Sequence, residues 1–126
     1  MSESNQEADI AETLRKMEEM IGEKPVPQLL MSKVVPEWIP RQMDERQFVM
    51  QLPNIPEKYK HLIMIAVAAA VGSKMCTEVF TKIAKRRGVT EREIGEAILI
   101  ARFALASTIF ATATPALEWL VGGDVE

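Results

Sequence analysis

From Leu62 to Val71 the chain reads LIMIAVAAAV, ten apolar residues without a break. A helix of that composition persists in water only where protein surrounds it on nearly all sides, so the rest of the chain must supply the cover. The expected helix opens near Glu57, with Pro56 in its first turn. Gly72 and Ser73 then form a tight corner, and the Ser73 hydroxyl is placed to cap a second helix, Ser73 to Arg87. On that helix Cys76, Val79, Phe80, Ile83 and Ala84 share one face, while Glu78 and Lys82 form a favourable i, i+4 pair on the other. Gly88 stops it. Thr90-Glu91-Arg92-Glu93 is a capping box that starts a long helix, about Glu91 to Thr112.

The long helix carries a second apolar stretch, Ala97 to Ala113, relieved only by Arg102 and small hydroxyl residues. A membrane span is not expected, because an arginine near the middle costs roughly 2.5 kcal/mol or more and a capping box opens the helix. In 126 residues two such helices leave a surplus of apolar surface. Association with further copies of the chain is the economical cover. Ala104, Ala106, Ser107, Ala111 and Ala113 would let helices approach closely. Arg102 is expected to meet a carboxylate such as Glu96 or Glu78, within or between subunits. Pro115 is expected to start a last short helix containing Leu117, Trp119 and Leu120.

Upstream, MSESNQEADI is acidic and has no basic start before an apolar core, so no secretory signal is expected. Its first few residues are expected to fray. Ile10, Leu14, Met17, Met20 and Ile21 recur at helical steps, which predicts an amphipathic helix from about Ala8 to Ile21, stopped by Gly22. Prolines at 25, 27, 36, 40, 53 and 56 break the next third into short helices, roughly Val26 to Val34 and Pro36 to Met50. The eight methionines read as adaptable core filler. With no β-strand signal, repeat, phosphate loop or Ser-His-Asp pattern, the expectation is one all-α domain: N-terminal helices, about 8–56, packed on a core at 57–121.

A net charge of -3 and a pI near 5.3 argue against nucleic acid as a partner. Lys82, Lys85, Arg86 and Arg87 form a basic cluster, but one at a helix end, where cations suit the dipole. One cysteine excludes an internal disulfide framework and fits a reducing cytoplasm. One histidine and one cysteine fall short of a structural zinc site, so neither metal nor cofactor is expected.

Those two residues, with Ser73 beside the cysteine, are nevertheless the candidate catalytic residues. Cys76 sits in the first turn of its helix, where free N–H groups and the dipole favour a thiolate, and Lys74 adds a positive charge. The plainer reading of Cys76 is a small buried hydrophobe. His61 titrates near neutrality and could handle protons, or be a partly exposed helical histidine without a partner.

The order LIMIAVAAAVG, SKMCTEVF, TKIAKRRGVTEREIGEAI resembles the carboxymuconolactone decarboxylase superfamily, and within it the alkylhydroperoxidase D-like branch, over roughly Tyr59 to Ala97. The resemblance implies an all-α fold of about six helices, assembly as trimers or hexamers, and peroxidase chemistry at a glutamate followed by a C-x-x-C-x-x-x-H motif. Carried over one by one, the glutamate falls on His61, the first cysteine on Ser73, the second on Cys76 and the histidine on Phe80. Cys76 keeps the position that attacks peroxide, and Ser73 cannot close the disulfide.

Three functions follow, the first as the leading reading and the other two as alternatives to it. The first is a one-cysteine thiol peroxidase using Cys76, with His61 moving protons and an external thiol, or a neighbouring subunit's cysteine, as reductant. The second is a cofactor-free lyase or isomerase on a small carboxylate, for which His61, Arg102 and Lys74 are the available groups. The third is a non-catalytic oligomer that binds a ligand at the altered site.

Overall fold

The expected hairpin is the spine of the molecule. In the computed structural model, which describes residues 3–123, its arms are α4 (Glu57–Ala70) and α5 (Lys74–Arg86). Before them come α1 (Glu3–Ile21), α2 (Val26–Ser32) and α3 (Trp38–Gln51); after them come α6 (Glu91–Ser107) and α7 (Ile109–Leu120). No strand occurs among the described residues. The fold is all-α, and α6 and α7 form one rod interrupted at Thr108, which gives the six rods expected.

Local chemistry explains the hairpin's ends. Gly72 takes φ +79 at the corner, and the Ser73 hydroxyl accepts a hydrogen bond from the Cys76 amide at 3.3 Å. The capping box at α6 is complete: Thr90 Oγ1 accepts from the Glu93 amide at 3.1 Å, and the Glu93 carboxylate accepts from the Thr90 amide at 3.0 Å. Pro56 is the residue before the first turn of α4 rather than within it.

Two separate cores form. Ile65, Ala84, Val89 and Ile94 join α4, α5 and the start of α6, with Leu62 and Phe80 against them. Ile10, Met17 and Ile39 join α1 to α3, with Leu14 and Met43 alongside. The two layers are tied at their edges. Arg86 donates to the Glu19 and Met20 carbonyls, the exposed end of α1, at 2.9 and 2.7 Å. Lys60 donates to the Met50 and Leu52 carbonyls at the end of α3, at 2.9 and 2.5 Å.

Several expectations are corrected. α1 begins at Glu3, five residues before Ala8, so fraying is not seen there; Met1 and Ser2 lie outside the described residues. α3 begins at Trp38 instead of Pro36. Pro115 lies inside α7; the helix break falls at Thr108, where the Ser107 and Thr108 hydroxyls donate back to the Phe103 and Leu105 carbonyls. Such back-bonding competes with the helix ladder and bends it.

α4 is not enclosed either. Tyr59, Ile63, Val67 and Val71, four apart, form an exposed stripe on its outer face. Only the start of α6 is buried, at Ile94 and Ala97, and α7 has substantial contact with α6 alone. Phe110 is 82% exposed and Trp119 79%. Arg102 is exposed and forms no ion pair among the described residues: Glu96 takes Arg92, and Glu78 takes Lys82. Taken together, the α6–α7 rod Glu91–Leu120 is long and apolar enough to cross a membrane by length and composition, and only 11% of its most apolar window is buried.

Candidate functional site

An antiparallel hairpin that turns at Gly72 sets position 57 level with 87, and 61 level with 83. The structure fills these positions with chemistry. Arg87, just beyond α5, donates from Nε and Nη2 to the two carboxylate oxygens of Glu57, each at 3.0 Å. This fork holds the Glu57 pKa below the usual carboxylate range, with a smaller contribution from His61. One helical turn further, His61 Nε2 lies 3.5 Å from Glu57 Oε1, a long contact that still aligns the ring.

His61 is 1% exposed, and its Nδ1 is buried with no hydrogen-bond partner among the described residues. Burial pushes its pKa down, more than Glu57 pushes it up. The ring is therefore neutral near pH 7 and carries one proton. An ionised carboxylate facing Nε2 assigns that proton to Nε2, which leaves the Nδ1 lone pair free. A carboxylate orienting an imidazole whose second nitrogen is unoccupied is the arrangement of a general base.

His61 lines a cavity of about 290 Å³ together with Arg46, Met20, Met43, Met50, Glu57 and Arg87. A second cavity of about 360 Å³ shares Met20, Met43, Arg46, Met50 and Ile83 and continues along Met17, Met64, Trp38 and Phe80. The two adjoin in the seam between the α1–α3 layer and the hairpin, where neither core closes the gap.

The four motif positions divide between the hairpin's two ends. His61 and Phe80 line this cleft. Ser73 borders a shallow depression at the corner with Lys74 and Glu78, and Cys76 is exposed and borders none of these cavities. By helix rise, Cys76 is level with Ala68, roughly 10 Å along the axis from His61. The structure thus places Ser73 beside Cys76 and keeps His61 away from both. The expected partly exposed, unpartnered histidine is instead buried against Glu57, and the buried-hydrophobe reading of Cys76 gives way to exposure.

Sequence reading passed over Glu57, Arg87 and Arg46. The i, i+4 spacing of Glu57 and His61 was a usable signal, and so was the equal distance of 57 and 87 from the corner. Nothing local marks Arg46, whose place depends on how α3 packs. The basic cluster also resolves: Lys82 pairs with Glu23 and Glu78, Lys85 with Glu91, Arg86 with the end of α1, and Arg87 with Glu57.

The helical hairpin and the capped helix after it make an all-α domain with a candidate site between α3, α4 and α5. The sequence model of the Carboxymuconolactone decarboxylase family matches residues 36–119, from just before α3 to near the end of α7, and the chain belongs to that family. No curated protein matches the chain.

Proposed function

We propose that the protein is a cofactor-free acid–base catalyst, a lyase or isomerase that acts on a small carboxylate in the cleft, with His61 as the proton-transferring group. The observation that carries this is the buried, unpartnered Nδ1 of a neutral histidine whose other nitrogen faces an arginine-forked carboxylate. A substrate carbon acidified by a neighbouring carbonyl would give its proton to Nδ1, and Glu57 would stabilise the imidazolium that forms. The flexible methionine wall must part for this contact. The test is a panel of small unsaturated and keto carboxylates in D₂O, with exchange at carbon and release of CO₂ followed by NMR. Turnover without added cofactor, reduced about 10²–10⁴-fold in His61→Gln, is expected. An inert panel would sink the reading.

A second reading, thiol peroxidase of the alkylhydroperoxidase D-like kind, is favoured by one observation: Cys76 is exposed in the first turn of α5 beside Lys74. It requires an external thiol to reset the cysteine and cannot use His61 directly. Trapping of Cys76 sulfenic acid from pH 5 to 9 decides it; a rate no faster than that of an ordinary thiol eliminates it.

We further propose that copies of the chain, as a trimer or hexamer in the cytoplasm, cover the outer α4 stripe and the α6–α7 rod. The chain exposes 9482 Å², whereas a compact monomer of its mass exposes roughly 6,700 Å². A surface excess of this order matches a large obligate interface. Arg102, unpaired among the described residues and in mid-rod, favours a protein partner over lipid. Phe103→Asp, read by sedimentation, should yield smaller species; an unchanged mass would refute the assembly.

A further inference from the structure

Among the described residues, every cation drawn out of solvent has a partner and every cation without one is exposed, with one exception. Those drawn out of solvent have partners: Lys60 takes two carbonyls, and Lys82 takes two carboxylates. Those without a hydrogen bond or ion pair among the described residues, including Lys24, Lys33, Arg41, Lys74 and Arg102, are exposed, where water serves them. Arg46 is the exception. Its side chain is partly buried between α3 and the hairpin, and among the described residues it has neither a hydrogen bond nor a salt bridge. Glu57 attracts it from a distance, but Arg87 already occupies both carboxylate oxygens of Glu57.

A guanidinium withdrawn from water without a partner is unfavourable, and the cost is offset when a carboxylate fills its fork. Arg46 borders both cavities, so it stands at their junction. To one side lie His61 and Glu57. To the other, the 360 Å³ cavity is walled by Met17, Met20, Met43, Met64, Trp38 and Phe80, with glutamines and one glutamate, Glu45, as its other polar groups. Methionine walls accommodate apolar bodies of varied shape. The volume falls in the range of small-molecule pockets.

We propose that Arg46 is the anchor of a binding site for apolar monocarboxylates, the carboxylate held on its guanidinium and the hydrocarbon body lying in the methionine cavity. This deepens the function proposed above by naming its substrate class; it uses the same cleft but requires no proton transfer by His61. A dicarboxylate would place its second charge among thioethers and an indole, so one charge and one apolar end define the class.

The probe is octanoate, with octanol and acetate as controls for the missing charge and the missing tail. Trp38 lines the cavity and Trp119 is exposed on α7, so fluorescence in a Trp119→Phe background reports on the site. Octanoate should bind at least tenfold more tightly than either control. Arg46→Met should weaken octanoate by about ten- to a hundredfold, the usual worth of a charge-assisted hydrogen bond, and leave octanol unchanged. Arg46→Lys should recover part of the loss. In ¹³C-methyl NMR the shifts should fall on Met17, Met20, Met43, Met50 and Met64, and spare Met75, which borders neither cavity.

Equal binding of octanoate and octanol, or shifts centred on Met75, overturns the proposal. The ligand comparison on the unsubstituted Arg46 protein decides the matter even if Arg46→Met fails to fold. His61→Gln separates the two proposals: octanoate binding should survive it. Binding without turnover of any carboxylate removes the catalytic reading and leaves the anchor; turnover that Arg46→Met leaves unaltered in KM removes the anchor and leaves the catalysis.

Discussion

The two ends of the α4–α5 hairpin are built from similar materials and come out opposite. At the open end Glu57, His61 and Arg87 are linked, His61 is buried, and α1 and α3 close over them around a cleft. At the corner Ser73, Lys74 and Cys76 have the helix N-terminus and the cap, but no covering layer, and the sulfur faces solvent. Helix geometry alone makes a thiolate-friendly position at the corner; only the second layer makes a cavity with a desolvated imidazole. Chemistry on a small organic substrate needs the cavity, and that is why the open end carries the functional proposal.

The largest effect expected from this contrast is on turnover. His61→Gln keeps size and polarity but removes the proposed base, and should cost about 10²–10⁴ in rate at pH 7. Cys76→Ser, assayed beside it on the same carboxylate, should leave the rate unchanged. The reverse pattern would move the active centre to the corner.

Next is the anchoring of the covering layer. Gly22 ends α1 with φ +86, and a Cβ built there would lie 1.7 Å from Arg86 Nη2. Gly22→Ala must hold a left-handed conformation, about 1–2 kcal/mol unfavourable, and must also displace the guanidinium that caps α1. A loss of about 2 kcal/mol in denaturant unfolding is expected, with part of it shared with Arg86→Ala in a double-mutant cycle. Strict additivity of the two changes would show that Arg86 does not fasten the layer.

How much of this was legible follows from the same division. Features set within a few residues could be read: the Ser73 and Thr90 caps, the Gly72 corner, the Glu78–Lys82 pair. The apolar run gave the central helix but not its surroundings, because a chain of this length covers only one side of α4 and leaves Tyr59, Ile63, Val67 and Val71 outside. Pro115 misled because an exposed helix can leave one carbonyl to water. The site was half legible. His61 was picked for its chemistry, but its partner Arg87 is 30 positions from Glu57, and Arg46 reaches the cleft only through the packing of α3. The resemblance drew attention to the corner, where its two cysteine positions fall, and away from the end where Glu57, His61 and Arg87 meet.

A smaller effect is the pH dependence of stability. Burial holds the folded-state pKa of His61 below its ordinary 6.5. On acidification the unfolded chain then binds the proton first, so stability is full above about pH 6.5 and falls as the pH drops through that value towards the folded pKa. His61→Gln should flatten this window. Glu57 and Glu93 act lower: the Arg87 fork depresses the first, and the Thr90 amide and Lys58 hold the second at about 2. Their contribution is present above their ordinary pKa near 4.5 and disappears as the pH falls through the folded values. A slope near pH 6 that persists in His61→Gln would mean the ring is not the desolvated group.

The smallest effect belongs to the corner. Cys76→Ser removes a side chain that faces water and makes no hydrogen bond through sulfur among the described residues, while the cap depends on the Cys76 backbone amide and the Ser73 hydroxyl, which the change leaves in place. Unfolding free energy should stay within about 0.5 kcal/mol, as for other surface substitutions. Ser73→Ala, which removes the cap itself, should cost about 1 kcal/mol. The ordering of these two neighbours is the sensitive point. If Cys76→Ser proves the more damaging, the sulfur is buried in the assembled protein, the corner is an interface between copies, and the exposure on which the peroxidase reading depends belongs only to the isolated chain.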